Sequence, residues 1–176
     1  IVINAKTQKP SACNSLDTLL LHRDIASDFI KLLLRKLSQK KVAIVAHGDA
    51  VSMCKDYENV ETGSESDFDT EFLSLKMNIS IVDDVYEAIA HLRRHKASHS
   101  DAILTDSREN SKLFTQAAGS ACVYVNASTR FSDGGQFGLG AEVAISTQKL
   151  HARGPMALES LTTYQYVCEG DYLCRS

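Results

Sequence analysis

Short apolar runs alternate along this chain with longer amphipathic stretches, and that alternation restricts the possible architectures more than any other feature. "TLLLH", "VAIVAHG", "EFLSLKMNISIV", "DAILT" and "ACVYVNAS" read as strands. Between them, "ASDFIKLLLRKLSQKK" places Ile30, Leu33, Leu34 and Leu37 on one helical face. "DDVYEAIAHLRRH" does the same with Val85, Ala88, Ile89 and Leu92 behind an Asp83 or Asp84 cap, and "SRENSKLFTQAA" is a helix that stops at Gly119. Apolar strands that alternate with helices build a largely parallel sheet covered on both faces. The fold class is therefore α/β, a three-layer αβα arrangement, in which sites form outside the carboxyl ends of the strands. Residues 52–69 are polar, acidic and without period, and read as an exposed loop. "LTTYQYVCEG" reads as a late strand with no evident partner inside the domain.

The chain has 176 residues, which fits one domain with ample core, and its first residues, "IVINAKTQKP", read as the tail of a helix that begins earlier in a longer protein. With 19 Lys+Arg against 22 Asp+Glu and no basic block, nucleic acid is not an expected partner. No run approaches the roughly 20 apolar residues that span a bilayer, so a membrane is not expected either. Five cysteines, far apart except for Cys168 and Cys174, suit free thiols in a reducing, cytoplasmic setting better than a disulfide framework.

Cys13 has two readings. A free cysteine is most often a small buried apolar residue. Its position favours chemistry: Pro10 and Ser11 end the preceding helix, Asn14 and Ser15 are polar, and the next strand starts only at Thr18. A thiol at such a junction is open to reaction. Cys122 lies inside an apolar strand and reads as core, whereas Cys54 lies in the polar stretch and Cys168 and Cys174 near the end.

His91, His95 and His99 are four residues apart and could form a metal-binding ridge on one continuous helix. The helix is expected to end near His95, no acidic ligand has matching spacing, and a closed site needs four ligands, so no metal is assigned. "GGQFGLGAE" fails the dinucleotide fingerprint, because a third glycine is missing where required and the run does not join a strand directly to a helix.

The order of these motifs resembles the gamma-glutamyl phosphate reductase (glutamate-5-semialdehyde dehydrogenase) family of the aldehyde dehydrogenase superfamily. "NAKTQKPSACNSLDTLLLH", "DTEFLSLKMNISIVDDVYEAIAHL", "SHSDAILT", "VYVNASTRFSDGGQFGLGAEVAISTQKLHARGP" and "LTTYQY" carry the resemblance from one end of the chain almost to the other. After His95 the family has small residues where this chain has Lys96 and Ala97, which puts a local turn shape in question.

The resemblance implies that Cys13 is the nucleophile of an NADPH-dependent reductase that converts L-glutamate 5-phosphate to L-glutamate 5-semialdehyde and phosphate for proline biosynthesis. It implies that residues 1–160 are the catalytic domain without its upstream cofactor-binding domain, so that the chain alone is inactive. Residues 161–176 would be an oligomerisation strand, covered by a second copy because bare strand edges are a hazard. Glu71 matches the glutamate that faces the nicotinamide ribose; otherwise it is an exposed strand-edge acid. Asn126, Ser128, Thr129 and Arg130 follow a strand end where substrate anions would be met, and Arg130 offers a planar fork to either anion, or is a surface arginine. An acyl phosphate carries a good leaving group, so a thiolate needs no deacylating base, and the Cys13 amide with a nearby side chain is a candidate oxyanion site. Two other readings remain: an aldehyde-oxidising relative and a non-catalytic assembly segment.

Overall fold

A computed structural model describes residues 1–95 and 98–176. The Lys96–Ala97 departure lies outside the described residues. Helix α1 (Val2–Thr7) leads into a loop and then β1 (Thr18–His22), α2 (Arg23–Gln39), β2 (Ala43–Ala46), α3 (Ala50–Cys54) and β3 (Val60–Thr62). A 3-10 turn over Glu65–Asp69 precedes β4 (Lys76–Val82), α4 (Val85–Arg94), β5 (Ser100–Ile103), α5 (Arg108–Ala117) and β6 (Cys122–Val125). A second 3-10 turn (Thr129–Phe131), the short strands β7 (Ala144–Ser146) and β8 (Gly154–Met156), and a last 3-10 turn (Leu158–Leu161) complete the chain.

The main sheet is parallel throughout, in the order β1-β4-β2-β3, with Leu19 opposite Ile79 and Ala46 opposite Ile79 on its other side. Parallel neighbours require crossovers, which the helices provide. β5 and β6 form a separate parallel pair and β7 and β8 an antiparallel one. Side chains alternate across a strand, so Leu21, Ile44, Ala46, Met77, Ile79 and Ile81 fall on one face. There they meet Ala26, Ile30, Leu33 and Leu37 of α2 and Ala50 and Cys54 of α3 in a continuous apolar core.

The opposite face is built differently. Asn78, fully buried, bonds His47 Nε2 at 2.9 Å, and its amide donates to Thr18 Oγ1 and to the Asp67 carbonyl. Phe68 stacks on His47 with ring centroids 3.9 Å apart and meets His91 edge-on at 4.6 Å. His95 completes the cover, bonded through Nδ1 to Asp69 and paired through Nε2 with Glu65. Gly63 is required beside this cluster, because a Cβ there would stand 2.2 Å from the His47 ring.

Helix starts follow their caps: Asp84 accepts from Glu87 N at 2.8 Å and Ser107 from Asn110 N at 3.2 Å. Residues 52–69 are a correction to the sequence reading. They contain the end of α3, β3 and the Phe68 turn, and Cys54 is fully buried with its thiol pushed up to about 11 by burial. These pieces are too short to show a period and are held by contacts with the sheet. The strand expected from Glu71 begins only at Lys76, because Leu73 takes a left-handed backbone (φ 49°) that interrupts the extended run. Residues 162–176 form no ladder in the single chain and are exposed, since an extended segment is a strand only when something pairs with it. α4 ends at Arg94, so His91 and His95 pack together while His99 stands apart at the start of β5. Among the described residues, no helix is long and apolar enough to cross a membrane.

Burial, then the neighbouring His95, depresses His91 to about 4 from its ordinary 6.5. The folded chain keeps this ring neutral, whereas an unfolded chain takes up a proton as the pH falls through about 6.5. Stability should therefore decline between pH 6.5 and 4 and level off below, and His91→Gln should flatten that part of a stability–pH profile measured by urea unfolding.

Candidate active site

The Cys13 turn is built from the end of α1 onward. Pro10 fixes a bend, Ala12 N bonds Lys9 O at 3.1 Å, and Ser15 N bonds Ala12 O at 2.8 Å. Those two bonds leave Cys13 at the exposed crest of a tight turn while the next residue, Asn14, turns inward and is 5% exposed. Behind the turn, Lys6 is wholly buried with its Nζ 3.4 Å from Asp17 Oδ1. Burial lowers the Lys6 pKa and raises that of Asp17, and their mutual attraction opposes both shifts.

Two hydrogen bonds fasten the turn to a segment more than a hundred residues away. Asn14 Nδ2 donates to the Ser132 carbonyl at 2.9 Å, and Thr129 Oγ1 donates to the Asn14 carbonyl at 2.7 Å, both buried. Ser132 is itself anchored, its hydroxyl lying 2.6 Å from Ser100 Oγ and 2.8 Å from Tyr124 OH. Ser100 in turn lies 2.8 Å from His99 Nδ1. Burial lowers the His99 pKa, opposed by the negative charges of Glu71 and Glu142, and raises that of Tyr124 to about 12.

In front of Cys13 lies a cleft of about 430 Å³ whose lining includes Lys9, Asn14, Arg130, Asp133 and Glu142. A second cleft of about 500 Å³ lies against β6 and β8, lined by Tyr124, Phe137, Leu139 and Arg153. Its cysteine, Cys122, is buried in the strand as the sequence indicated. Of these two clefts, the one beside Cys13 combines an exposed thiol with charged groups of both signs.

The structure separates the four residues grouped at the end of β6. Arg130 reaches the cleft, with Nε donating to Gln8 Oε1 at 2.9 Å. Ser128 is buried and its hydroxyl caps the 3-10 turn at Arg130 N. Thr129 holds the Cys13 turn. Asn126, with φ 55°, binds both N and O of Thr105 at 2.8 and 2.9 Å and so ties the end of β6 to the loop after β5. Glu71 is exposed on the irregular segment before β4, two residues from Leu73, which lines the cleft. Sequence reasoning passed over Lys9, Asp133 and Glu142 as members of the site. The two acids bracket the glycine-rich loop, but nothing in their spacing reveals that the loop folds back onto the cysteine. Among the described residues no group of three His, Cys, Asp or Glu side chains is arranged to hold a metal ion.

No protein-family model matches the chain. The gamma-glutamyl phosphate reductase of Vibrio vulnificus is 57% identical over 176 residues, covering the whole chain and 42% of that protein. The enzyme of the same name from Aeromonas salmonicida is 56% identical over 173 residues, 98% of the chain and 42% of the relative. Among solved structures, the gamma-glutamyl phosphate reductase of Thermotoga maritima superposes with a TM-score of 0.93 at 44% identity over the whole chain and 42% of its own. An acetylating aldehyde dehydrogenase from Geobacillus thermoglucosidasius shares the fold at a TM-score of 0.51 and 19% identity, over 82% of this chain and 39% of that one. Parallel sheet, covering helices and these likenesses define an α/β protein with the fold seen in an aldehyde dehydrogenase. Over its whole length the chain is homologous to part of the gamma-glutamyl phosphate reductases, and it spans 42% of the length of the curated relatives it matches.

Thr129→Val keeps the shape of the side chain and leaves the Asn14 carbonyl without its donor, a loss of about 1–3 kcal/mol for a buried group. The variant should melt earlier and change the rate at which iodoacetamide alkylates Cys13, and Thr129→Ser should restore both.

Proposed function

We propose that this chain is the cysteine-bearing portion of a reductase that converts L-glutamate 5-phosphate to L-glutamate 5-semialdehyde and phosphate in proline biosynthesis, with NADPH as reductant. The observation that carries this reading is the exposed Cys13, held on a clamped turn at a cleft that also contains Lys9 and Arg130. The named relatives agree with it.

The Cys13 sulfur attacks the acyl carbon, the carbonyl electrons move onto oxygen, and the intermediate collapses with loss of phosphate to leave a thioester on Cys13. Lys9 and Arg130 bring positive charge to the cleft in which the phosphate leaves, and the planar guanidinium suits an anion with several acceptor oxygens. The Cys13 amide is the donor we assign to the oxyanion. Glu71 fits the nicotinamide half of a cofactor: its exposed carboxylate can accept from ribose hydroxyls. The nicotinamide, when bound, supplies the hydride that reduces the thioester. The resulting thiohemiacetal releases the aldehyde and regenerates the Cys13 thiolate, so no water need be activated. One carboxylate is too little to hold a whole cofactor, so residues 1–176 alone bind it weakly and do not turn over, and the dinucleotide site lies in the remainder of a full-length enzyme.

In the full-length enzyme, Cys13→Ser should abolish NADPH oxidation while leaving the melting curve in place. With acyl phosphate and no NADPH, intact-mass measurement should show a glutamyl adduct on the unmodified protein and none on the variant. Retained turnover in Cys13→Ser would refute the mechanism.

Assembly is a second role of the same chain, favoured by the tail. Tyr164, Tyr166, Val167 and Leu173 are largely exposed on residues 161–176, more apolar surface than an isolated tail normally leaves to water. We read this segment as a strand that pairs with a second copy in a cytoplasmic homo-oligomer. Its deletion should turn the oligomer into monomer or aggregate, as seen by light scattering; an unchanged mass would refute the pairing.

A further inference from the structure

We propose that the cleft beside Cys13 recognises the α-ammonium group of its substrate, through Asn14 Oδ1 and the carboxylates of Asp133 and Glu142. The proposal rests on the functional reading above and extends it to the group that distinguishes an amino-acid acyl phosphate from a plain dicarboxylic one.

Three observations converge. Asn14, 5% exposed and lining the cleft, buries an Oδ1 that has no hydrogen-bond donor among the described residues. Its orientation is fixed, because Nδ2 already donates to the Ser132 carbonyl at 2.9 Å and a flipped amide would set two acceptors face to face. A buried acceptor without a donor is costly, and one next to the nucleophile awaits an N–H or O–H from whatever binds there.

Secondly, the cleft holds two carboxylates that work against the anionic groups of its ligand. Among the described residues neither Asp133 nor Glu142 forms an ion pair with Lys9 or Arg130. Two uncompensated acids in a cleft for a phosphate and a carboxylate repel that ligand unless it also brings a positive group between them.

Thirdly, the acids are held in place. Glu142 Oε2 accepts from Gly134 N at 2.8 Å and Asp133 Oδ1 accepts from Gln136 N at 3.0 Å, leaving one oxygen of each for a ligand. The loop between them packs tightly enough that a Cβ on Gly134 would lie 2.4 Å from the Ala141 carbonyl. Asn14 follows Cys13 directly in the chain, as the α-carbon follows the reacting carbon of a glutamyl group after only two methylenes. The cations then serve the anionic groups and the acceptors serve the ammonium.

The test uses the full-length enzyme in the oxidative direction, in which aldehyde, phosphate and NADP+ yield acyl phosphate, NADPH and a proton. L-glutamate 5-semialdehyde is compared with 5-oxopentanoate, which lacks only the amino group. The double variant Asp133→Asn, Glu142→Gln removes both charges and keeps an acceptor oxygen for each loop amide. The ratio of kcat/KM for the two aldehydes should fall about ten-fold or more, the effect of losing a charge-assisted hydrogen bond. A ratio unchanged within two-fold, even with both rates lowered, would overturn the proposal and leave the acids a purely structural role. Should the double variant fail to fold, the single variants Glu142→Gln and Asp133→Asn give the same ratio. If the unmodified enzyme oxidises neither aldehyde, the functional reading itself falls, and the ammonium site falls with it.

Discussion

The Cys13 turn depends on one pair of buried hydrogen bonds. Asn14 Nδ2 to the Ser132 carbonyl and Thr129 Oγ1 to the Asn14 carbonyl join two loops that share no secondary structure. Without them Cys13 would sit on a loop free to swing relative to Arg130, and catalytic geometry tolerates little such slack. The clamp is also what makes neighbouring features intelligible. Ser128 caps the short turn that presents Thr129, and Ser132 is pinned to β5 and β6 through Ser100 and Tyr124. Asn126 closes the end of β6 against Thr105. Residues that look like a polar binding motif in the sequence are for the most part the frame on which Arg130 is mounted.

Electrostatics on the two sides of the turn differ in kind. Behind it, Lys6 is sealed from water against Asp17, and burial is the largest influence on both groups, weakening the charged form of each. A pair in that position contributes little net stability, but removing either partner leaves the other charge buried alone, which is expensive. Asp17 also receives Phe72 N, and its carbonyl accepts from Asn78 N at 2.7 Å, so α1, the segment after Glu71 and β4 converge on one residue. In front of the turn the charges are half-buried or exposed, mixed in sign and, among the described residues, without ion-pair partners, as suits a surface that meets a ligand.

The sequence exposed the fold more fully than the site. Helices α2, α4 and α5 could be read because their apolar residues recur at helical spacing and Asp84 and Ser107 cap where a cap was needed. The short α3 and β3 could not, since Cys54 and Val60 are held by contacts with the sheet and not by local pattern. The split of the strands into a main sheet and a separate β5–β6 pair is likewise a matter of packing that no window of sequence encodes. Cys13 was legible by position and, more strongly, by family resemblance. Asn14 was legible only as a polar neighbour, and Lys9, Asp133 and Glu142 not at all as partners, because cleft lining is decided by loops that meet across the whole chain.

That meeting has a consequence for the order of events in folding. β1 must find β4 across the whole of α2, β2 and β3, and the Cys13 turn must then find partners 115 and 118 residues further along. Contacts between such distant points form late, after the loops between them have been shortened by structure already in place. The proposed nucleophile, Cys13, therefore acquires its geometry near the end of folding. A ribosome-bound chain that has emerged only as far as β6 can carry a nearly complete sheet and still an ungoverned thiol.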